Sequence, residues 1–504
     1  MSLAIVYSRA QLGIEAPLVT VETHLSNGLP GLAIVGLPET AVKESKDRVR
    51  SALINSHFDF PARRIIINLA PADLPKEGGR YDLPIALGIL AASGQIPEES
   101  LRNCEFLGEL ALSGQLRQVS GCLPAAIACG QENRQLIVPD QNAGEAAFSS
   151  RTEVFGGTSL LRICAHLHRK QPLSRACKRE ANARLEAPDL ADIKGQSQAR
   201  RALEIAASGS HNIIFYGPPG TGKTMLASRL PGILPPLREA EALEVAAVHS
   251  VAGGLRAENW YQRPFRAPHH TSSAAALVGG GSHPKPGEIS LAHKGVLFLD
   301  ELPEFQKHVL EVLREPLESG FIHISRARAQ VRFPAEVLLV SAFNPCPCGY
   351  LGTSPQGNSG LQCNCTPEQI RRYRGKISGP LLDRIDLHVP VMPLKKGELH
   401  NVSAGEASAE VRDRVAKTRT LQLQRQDKTN AELQNRELEK VCALNEKQRA
   451  LLDQAMENMG LSARAYYRTL KVARTLADMS GSEPLQTRHI TEALSYRTLD
   501  RRES

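Results

Sequence analysis

Eight residues, Gly217-Pro218-Pro219-Gly220-Thr221-Gly222-Lys223-Thr224, gather glycines, a lysine and a hydroxyl into one short loop. Glycines let backbone N–H groups turn inward on an anion, a lysine neutralises it, and a threonine hydroxyl can hold Mg²⁺. To the left, Ile213-Ile214-Phe215-Tyr216 reads as a buried strand; to the right, Met225-Leu226-Ala227 opens a helical pattern. In that strand–loop–helix setting the loop is a cradle for the phosphates of a nucleoside triphosphate at the positive end of a helix. Lys223 is expected to face the γ-phosphate and Thr224 the Mg²⁺ ion. The bland alternative, a Gly-rich turn before an ordinary helix, does not account for the full motif.

Hydrolysis needs further groups, and the chain offers them downstream. Val296-Leu297-Phe298-Leu299 is an apolar strand ending in Asp300 and Glu301. Asp300 is suited to hold Mg²⁺ through water, and Glu301 to polarise the attacking water. A second apolar strand, Glu336–Ala342, delivers Asn344, whose amide could orient that water. Directly after it, Cys346, Cys348, Cys363 and Cys365 bracket a stretch rich in Gly, Ser, Pro and Asn. Four thiolates suit a tetrahedral structural Zn²⁺; reduced free cysteines are the other reading. His269-His270 lacks a third ligand, so a loop is preferred there to a metal site. Between the two catalytic strands, Gly320–Phe333 has apolar flanks and a basic middle. It predicts a hairpin with Arg326 and Arg328 at the tip, able to grip phosphates or merely to sit in water.

These groups need a scaffold larger than one core. At 504 residues, two to four domains are expected. Apolar content of 42% and charged content of 23% describe a soluble chain, and no run of 18 apolar residues is present. The opening Met-Ser-Leu-Ala-Ile-Val-Tyr has no signal-peptide layout, so a cytoplasmic location without a membrane partner is expected. An excess of 61 Lys and Arg over 53 Asp and Glu permits a nucleic-acid partner without requiring one. Residues 1–168 read as an α/β domain. In it, Val19–Leu25 alternates, Asn27-Gly28 predicts a hairpin turn into a strand at Leu32–Val35, and Asp82–Ser93 forms an apolar helix. Residues 169–188 are basic and aperiodic, predicting a solvated linker or a strip touching DNA. Residues 189–395 form the nucleotide-binding α/β module, with the Cys-rich insertion at 346–365. Residues 396–504 are helical, with Leu470, Ala473 and Ala477 on one face.

The order of these elements resembles the AAA+ ATPases. Ile193-Lys194-Gly195-Gln196 is similar to their adenine-side box, and Asn344 to their first sensor. Leu381-Leu382-Asp383-Arg384-Ile385-Asp386 is similar to the arginine-finger segment of the Mg-chelatase and MCM branch. Arg464 matches the second sensor on a helical C-terminal lid. The resemblance implies that Arg384 reaches a neighbour's ATP, so that catalysis needs a ring, expected to be a hexamer. It also implies that the Arg326/Arg328 hairpin points into the pore.

A narrower resemblance covers nearly the whole chain. Phe265–Ser272, Pro286–His293, Lys376–Pro380 and Tyr466–Arg474 look like the Mg-chelatase-like ComM/YifB family. That resemblance implies an ATP-driven, ring-forming DNA helicase that promotes branch migration during natural transformation. It also implies a Lon-protease-like, S5-type fold for residues 1–168. There Arg80 stands where Lon carries its nucleophile, and no lysine occurs between Glu77 and Arg169, so no Ser–Lys dyad and no proteolysis are expected. The rival expectation is a chelatase-type or protein-remodelling ATPase that does not act on DNA.

Overall fold

Alternating burial along Leu18–Ser26, with Val19, Val21, Thr23 and Leu25 turned inward, makes this segment a strand with one face on a core. The computed structural model describes residues 2–37, 40–178, 187–253, 260–281, 284–326, 329–352, 362–393 and 405–500. In the N-terminal part, β1 (Ser2–Arg9), β2 (Leu18–Ser26), β3 (Gly31–Val35), β4 (Arg64–Ala70) and β5 (Cys104–Phe106) come first. A short hairpin, β6 (Glu109–Leu110) with β7 (Leu116–Arg117), precedes β8 (Gln135–Pro139) and β9 (Val154–Gly157). Seven strands form a mixed sheet in the order β3-β4-β2-β1-β5-β8-β9. The helix Asp82–Ala92 lies almost wholly buried against it.

The hairpin expected at Asn27-Gly28 does not form. Both edges of β2 carry long antiparallel ladders, to β1 and to β4, so the chain after Gly28 has no edge of β2 to return to. It crosses instead to the outside of β4, where β3 pairs in parallel, Leu32 opposite Ile65. The basic segment also departs from a solvated linker over residues 169–178. Leu173 is buried, Arg175 pairs with Glu153 at 3.1 Å, and the Lys178 ammonium lies 5.0 Å from the Trp260 ring centre. An apolar stem and cation–π contacts dock a stretch whose charge suggested solvent. Arg179, Glu180 and Arg184 lie outside the described residues.

The second sheet is built from β10 (Ile213–Tyr216), β11 (Phe265–Arg266), β14 (Val296–Leu299), β17 (Leu338–Phe343) and β18 (Leu387–Pro390). Two hairpins interrupt the series: β12 (Gly279–Gly280) with β13 (Lys285–Pro286), and β15 (Phe321–Arg326) with β16 (Ala329–Pro334). The order is β11-β14-β17-β10-β18, every pair parallel. The strands read as continuous apolar runs because both faces are covered. A parallel sheet brings all strand ends carrying functional residues to one edge.

The C-terminal helices pack against this sheet and its helices. Leu470, Val472, Ala473, Leu476 and Ala477 of the helix Ala463–Met479 share one core with β10, the helix Ser197–Gly209 and the helix Ser408–Gln426. Burial of each large apolar side chain contributes roughly 1.5–3 kcal/mol. The N-terminal part docks on the region of the second sheet through Phe148, stacked on Trp260 at 3.9 Å, and through the Gly121 N–H, which donates to the Ser250 carbonyl at 3.2 Å. Gly13, at φ +62°, sits against β16 so closely that a Cβ would come within 2.4 Å of Val331. No helix among the described residues is long and apolar enough to cross a membrane.

Candidate nucleotide site

The loop Gly217–Thr224 leaves the end of β10 and enters the helix Lys223–Ile233. Gly220 and Gly222 have φ of +76° and +90°, the conformation that turns successive N–H groups to one side. Neither would meet any atom within 4 Å on gaining a Cβ, so open space lies over the cradle. Gly217 is different. Its Cβ would press to 2.0 Å from the Val391 carbonyl, which seats the loop on the residue following β18.

The groups expected to meet at this loop do so. Lys223 Nζ donates to the Gly217 and Pro218 carbonyls at 2.8 Å each and to Asn344 Oδ1 at 3.1 Å. Burial holds its pKa below the ordinary lysine value, while the Asp300 carboxylate works in the other direction. Thr224 Oγ1 donates to Asp300 Oδ2 at 2.7 Å, setting a neutral and an anionic oxygen side by side. That is the hard-oxygen donor set a Mg²⁺ ion takes together with phosphate and water. Asp300 Oδ1 also accepts the Glu301 N–H at 2.9 Å. Glu301 itself is left-handed, at φ 52° and ψ 46°, an uncommon conformation for glutamate. Its carboxylate meets a side chain that sequence reasoning treated only as loop: His270 Nδ1, 3.2 Å from Oε2. Ile193 is buried in the core shared by the second sheet and the C-terminal helices.

Arg384 and Arg464 come together, but not at the phosphate loop. Arg384 is 3% exposed and donates to the Pro380 carbonyl and to Glu318 Oε2, both at 2.6 Å. Arg464 reaches the other oxygen of Glu318 at 2.8 Å. Burial works to raise the Glu318 pKa, but the arginines outweigh it and hold the carboxyl below its ordinary value. Glu318 gave no signal in the sequence, being one acid on a short helix. Behind the pair, Arg468 bonds to Asp386 at 2.6 Å and to the Arg384 carbonyl at 3.1 Å, tying the two arginine-bearing segments together.

The sulfurs of Cys346, Cys348, Cys363 and Cys365 all lie within 4.8 Å of one another, and none is in a disulfide. Cys346 stands 3.3 Å from Cys348 and 3.7 Å from Cys363, and Cys348 is 3.6 Å from Cys363. Zn–S bonds of about 2.3 Å in a tetrahedron set sulfur–sulfur edges of about 3.8 Å, so the cluster has the size of a Zn²⁺ site. Backbone N–H groups of Tyr350 and its neighbours point at these sulfurs, and the Cys348 thiol is pushed down to about 6, the Tyr350 N–H being the largest cause. Gly349, in the same turn, packs on Pro219 of the phosphate loop, where a Cβ would come to 2.9 Å. Of the expected hairpin, β15 and β16 are present; Arg328 and the side chain of Arg326 lie outside the described residues. Arg80 is buried and donates to Gln11 and to the Ser120 carbonyl, the role of a structural cation.

Comparison with known proteins agrees with this arrangement. Residues 189–399 match the family described as magnesium chelatase, subunit ChlI. Residues 21–142 match subunit ChlI of Mg-chelatase, and residues 405–497 its C-terminal part. The chain is 53% identical to the competence protein ComM of Haemophilus influenzae over 508 residues, covering 99% of this chain and 98% of that one. It is 51% identical to YifB of Salmonella typhimurium over 503 residues, with the same coverage. Likeness to the magnesium-chelatase 38 kDa subunit of Cereibacter sphaeroides is 26% over 171 residues, 30% of this chain and 51% of that one. With a P-loop, its acidic strand and Asn344 on one parallel sheet, and relatives matched from end to end, the chain belongs to the Mg-chelatase-like ComM/YifB family of AAA+ ATPases.

Proposed function

We propose that this chain is an ATP-hydrolysing, ring-forming DNA translocase or helicase that promotes branch migration of DNA strands during natural transformation. The observation that carries the reading is the β15–β16 hairpin, which joins the strand bearing Asp300 and Glu301 to the strand bearing Asn344. A hairpin lying in the chain between these two strands is placed to follow changes at the γ-phosphate, and the sequence at its turn, Arg326-Ala327-Arg328, suits a DNA backbone. Support from kinship comes through the competence protein ComM of Haemophilus influenzae.

In this reading Lys223 and the loop Gly217–Thr224 bind the ATP phosphates, and Ile193 flanks the adenine. Thr224 and Asp300 would hold Mg²⁺, which supplies charge neutralisation to the phosphates when bound. Glu301 takes the proton of the attacking water, and Asn344 orients that water against the γ-phosphate. Arg384 reaches the ATP of the adjacent subunit of a hexameric ring, and Arg464, joined to it at Glu318, serves as the second sensor on the helical lid. Cys346, Cys348, Cys363 and Cys365 would hold a structural Zn²⁺, which would cross-link the turn whose Gly349 packs on Pro219 of the phosphate loop. The N-terminal domain is Lon-protease-like without a dyad, a binding or assembly module with no peptidase activity, and the protein works in the cytoplasm.

The test is the ATPase rate with and without single-stranded and forked DNA, followed by strand separation on a branched substrate. Stimulation and strand exchange are expected. An ATPase indifferent to every DNA form would move the reading to a protein-remodelling motor.

A further inference from the structure

The parallel sheet has two ends, and the phosphate loop uses one of them. Asn212, Gly295 and Leu338, at or just before the starts of β10, β14 and β17, mark the opposite edge. There a cavity of about 1150 Å³ opens between the sheet and the C-terminal helices. It has room for a molecule of nucleotide size. Eight Lys and Arg side chains line it against six Asp and Glu.

Most of these charges are matched. Arg263 bonds to Glu241 at 3.3 Å, Lys294 to Glu336, Arg468 to Asp386 at 2.6 Å, and Lys428 to Glu437 at 2.6 Å. Two cations on different helices are not. Arg419, on the helix Ser408–Gln426, donates Nε to the Ala207 carbonyl at 2.7 Å and Nη2 to the Ser210 hydroxyl at 2.9 Å. Lys471, on the helix Ala463–Met479, donates to the Ala431 carbonyl at 2.9 Å. Those neutral oxygens explain where the side chains lie but do not neutralise them. Among the described residues neither cation meets a carboxylate, and each keeps donors without a protein acceptor. Burial pushes the Arg419 pKa down to about 9 and lowers that of Lys471 as well. Both are cations drawn out of water without a counter-ion, which destabilises a fold unless an anion offsets it. The exposed Arg436 adds a third unmatched cation. Of the acids, Asp427 and Glu432 pair with no cation, and Glu432 is committed to the Thr429 N–H and hydroxyl at 2.7 and 3.0 Å.

We propose that this cavity binds a small anion carrying two phosphate groups, one held by Arg419 and the other by Lys471, at a site separate from the ATP of the phosphate loop. A guanidinium fork and an ammonium are both suited to phosphate oxygens. Two anionic groups are called for because the unmatched cations belong to different helices. The site does not depend on whether the chain acts on DNA. Its wall includes Glu318 and Asp386, which hold the segments bearing Arg384 and Arg464, so an occupant lies beside the hold on those two arginines.

The experiment uses the full chain carrying Lys223→Ala, whose phosphate loop has lost its cation. Thermal unfolding is followed against pyrophosphate, orthophosphate, ADP and succinate, each matched by sodium chloride of equal ionic strength. Pyrophosphate is expected to raise the midpoint saturably, with half-saturation about tenfold or more below that of orthophosphate or succinate. ADP as effective as pyrophosphate assigns the two phosphates to a nucleotide; pyrophosphate acting alone assigns them to a free inorganic anion. Lys471→Met keeps the length and removes the charge. It should weaken half-saturation about tenfold or more, the effect of losing one hydrogen bond to a charged group. Lys471→Arg, which keeps the cation, should stay within about threefold of the parent. Arg419→Met should match Lys471→Met; because Arg419 also ties down the end of the helix Ser197–Gly209, Lys471→Met decides if that variant does not fold. No effect beyond that of sodium chloride would overturn the proposal. So would succinate acting as well as pyrophosphate, or a shift that survives Lys471→Met.

Discussion

Asp386 offers the sharpest quantitative test of how the arginine-bearing segments are held. It is 2% exposed, accepts from Arg468 at 2.6 Å and from the Asn212 N–H at 3.0 Å, and lies 3.4 Å from His211 Nδ1. Replacing it by asparagine keeps the shape and one acceptor but removes the charge that Arg468 and its surroundings were built around. Removing one partner of a buried ion pair costs about 3–5 kcal/mol, and the retained Asn212 bond places the expected loss near the lower bound. Burial works to raise the Asp386 pKa, but Arg468 and His211 outweigh it and hold the carboxyl well below the usual carboxylate range. The folded state thus binds this proton less tightly than the unfolded chain, whose value is about 3.9. The stabilisation is fully present above that value and is lost as pH falls through the lower, folded one. Urea unfolding followed by circular dichroism should therefore show wild type above Asp386→Asn by a constant margin from neutral pH down to about 5, closing only in stronger acid. A margin below about 1 kcal/mol, typical of an exposed pair, would refute the argument. So would a margin that closes between pH 7 and 5.

The nucleotide site yields shorter tests. Glu301→Gln should bind ATP as wild type does and turn it over about 10²–10⁴-fold more slowly in a steady-state assay. Lys223→Ala should weaken binding of a fluorescent ATP analogue, because the buried ammonium is the charge nearest the phosphate cradle. Protein purified without chelator should contain one zinc per chain by elemental analysis, and Cys363→Ser should lose it; four freely alkylated thiols in metal-free, folded protein would exclude the site. Replacing Arg326 and Arg328 by alanine should spare basal ATPase and flatten the salt dependence of single-strand binding by a slope of about 0.7 per lost contact.

What could be read from the sequence followed from locality. The phosphate loop, its strand and its helix are contiguous, and each apolar run ending in Asp300 or Asn344 announces both a buried strand and the residue it delivers. The parallel sheet then does the rest, since strands of one sense must present those ends together. Pairings between distant segments left no such trace. Asn27-Gly28 carried a hairpin signal, yet strand edges already taken by β1 and β4 decided where β3 went. His270 read as loop because its partner is 31 residues away, visible only through the register of β11 on β14. Glu318 was hidden for a similar reason: nothing in its neighbourhood marks it as the point where Arg384 and Arg464 meet. The docked segment at 169–178 shows that basic composition alone does not place a stretch in solvent, since Lys178 finds the faces of Phe148, Trp260 and Tyr261.

The stack of Phe148 on Trp260 has a practical consequence. Trp260 is the only tryptophan of the chain, and it is 3% exposed at the seam between the N-terminal part and the motor. Its emission is therefore a single-site optical reporter of that seam, needing no label. If ATP or DNA shifts the N-terminal part relative to the motor, the spectrum should move to the red and quencher access should rise, on the timescale of the shift itself. Deleting the N-terminal part would uncover the same indole along with Leu237 and Val245, leaving a sticky face on the motor.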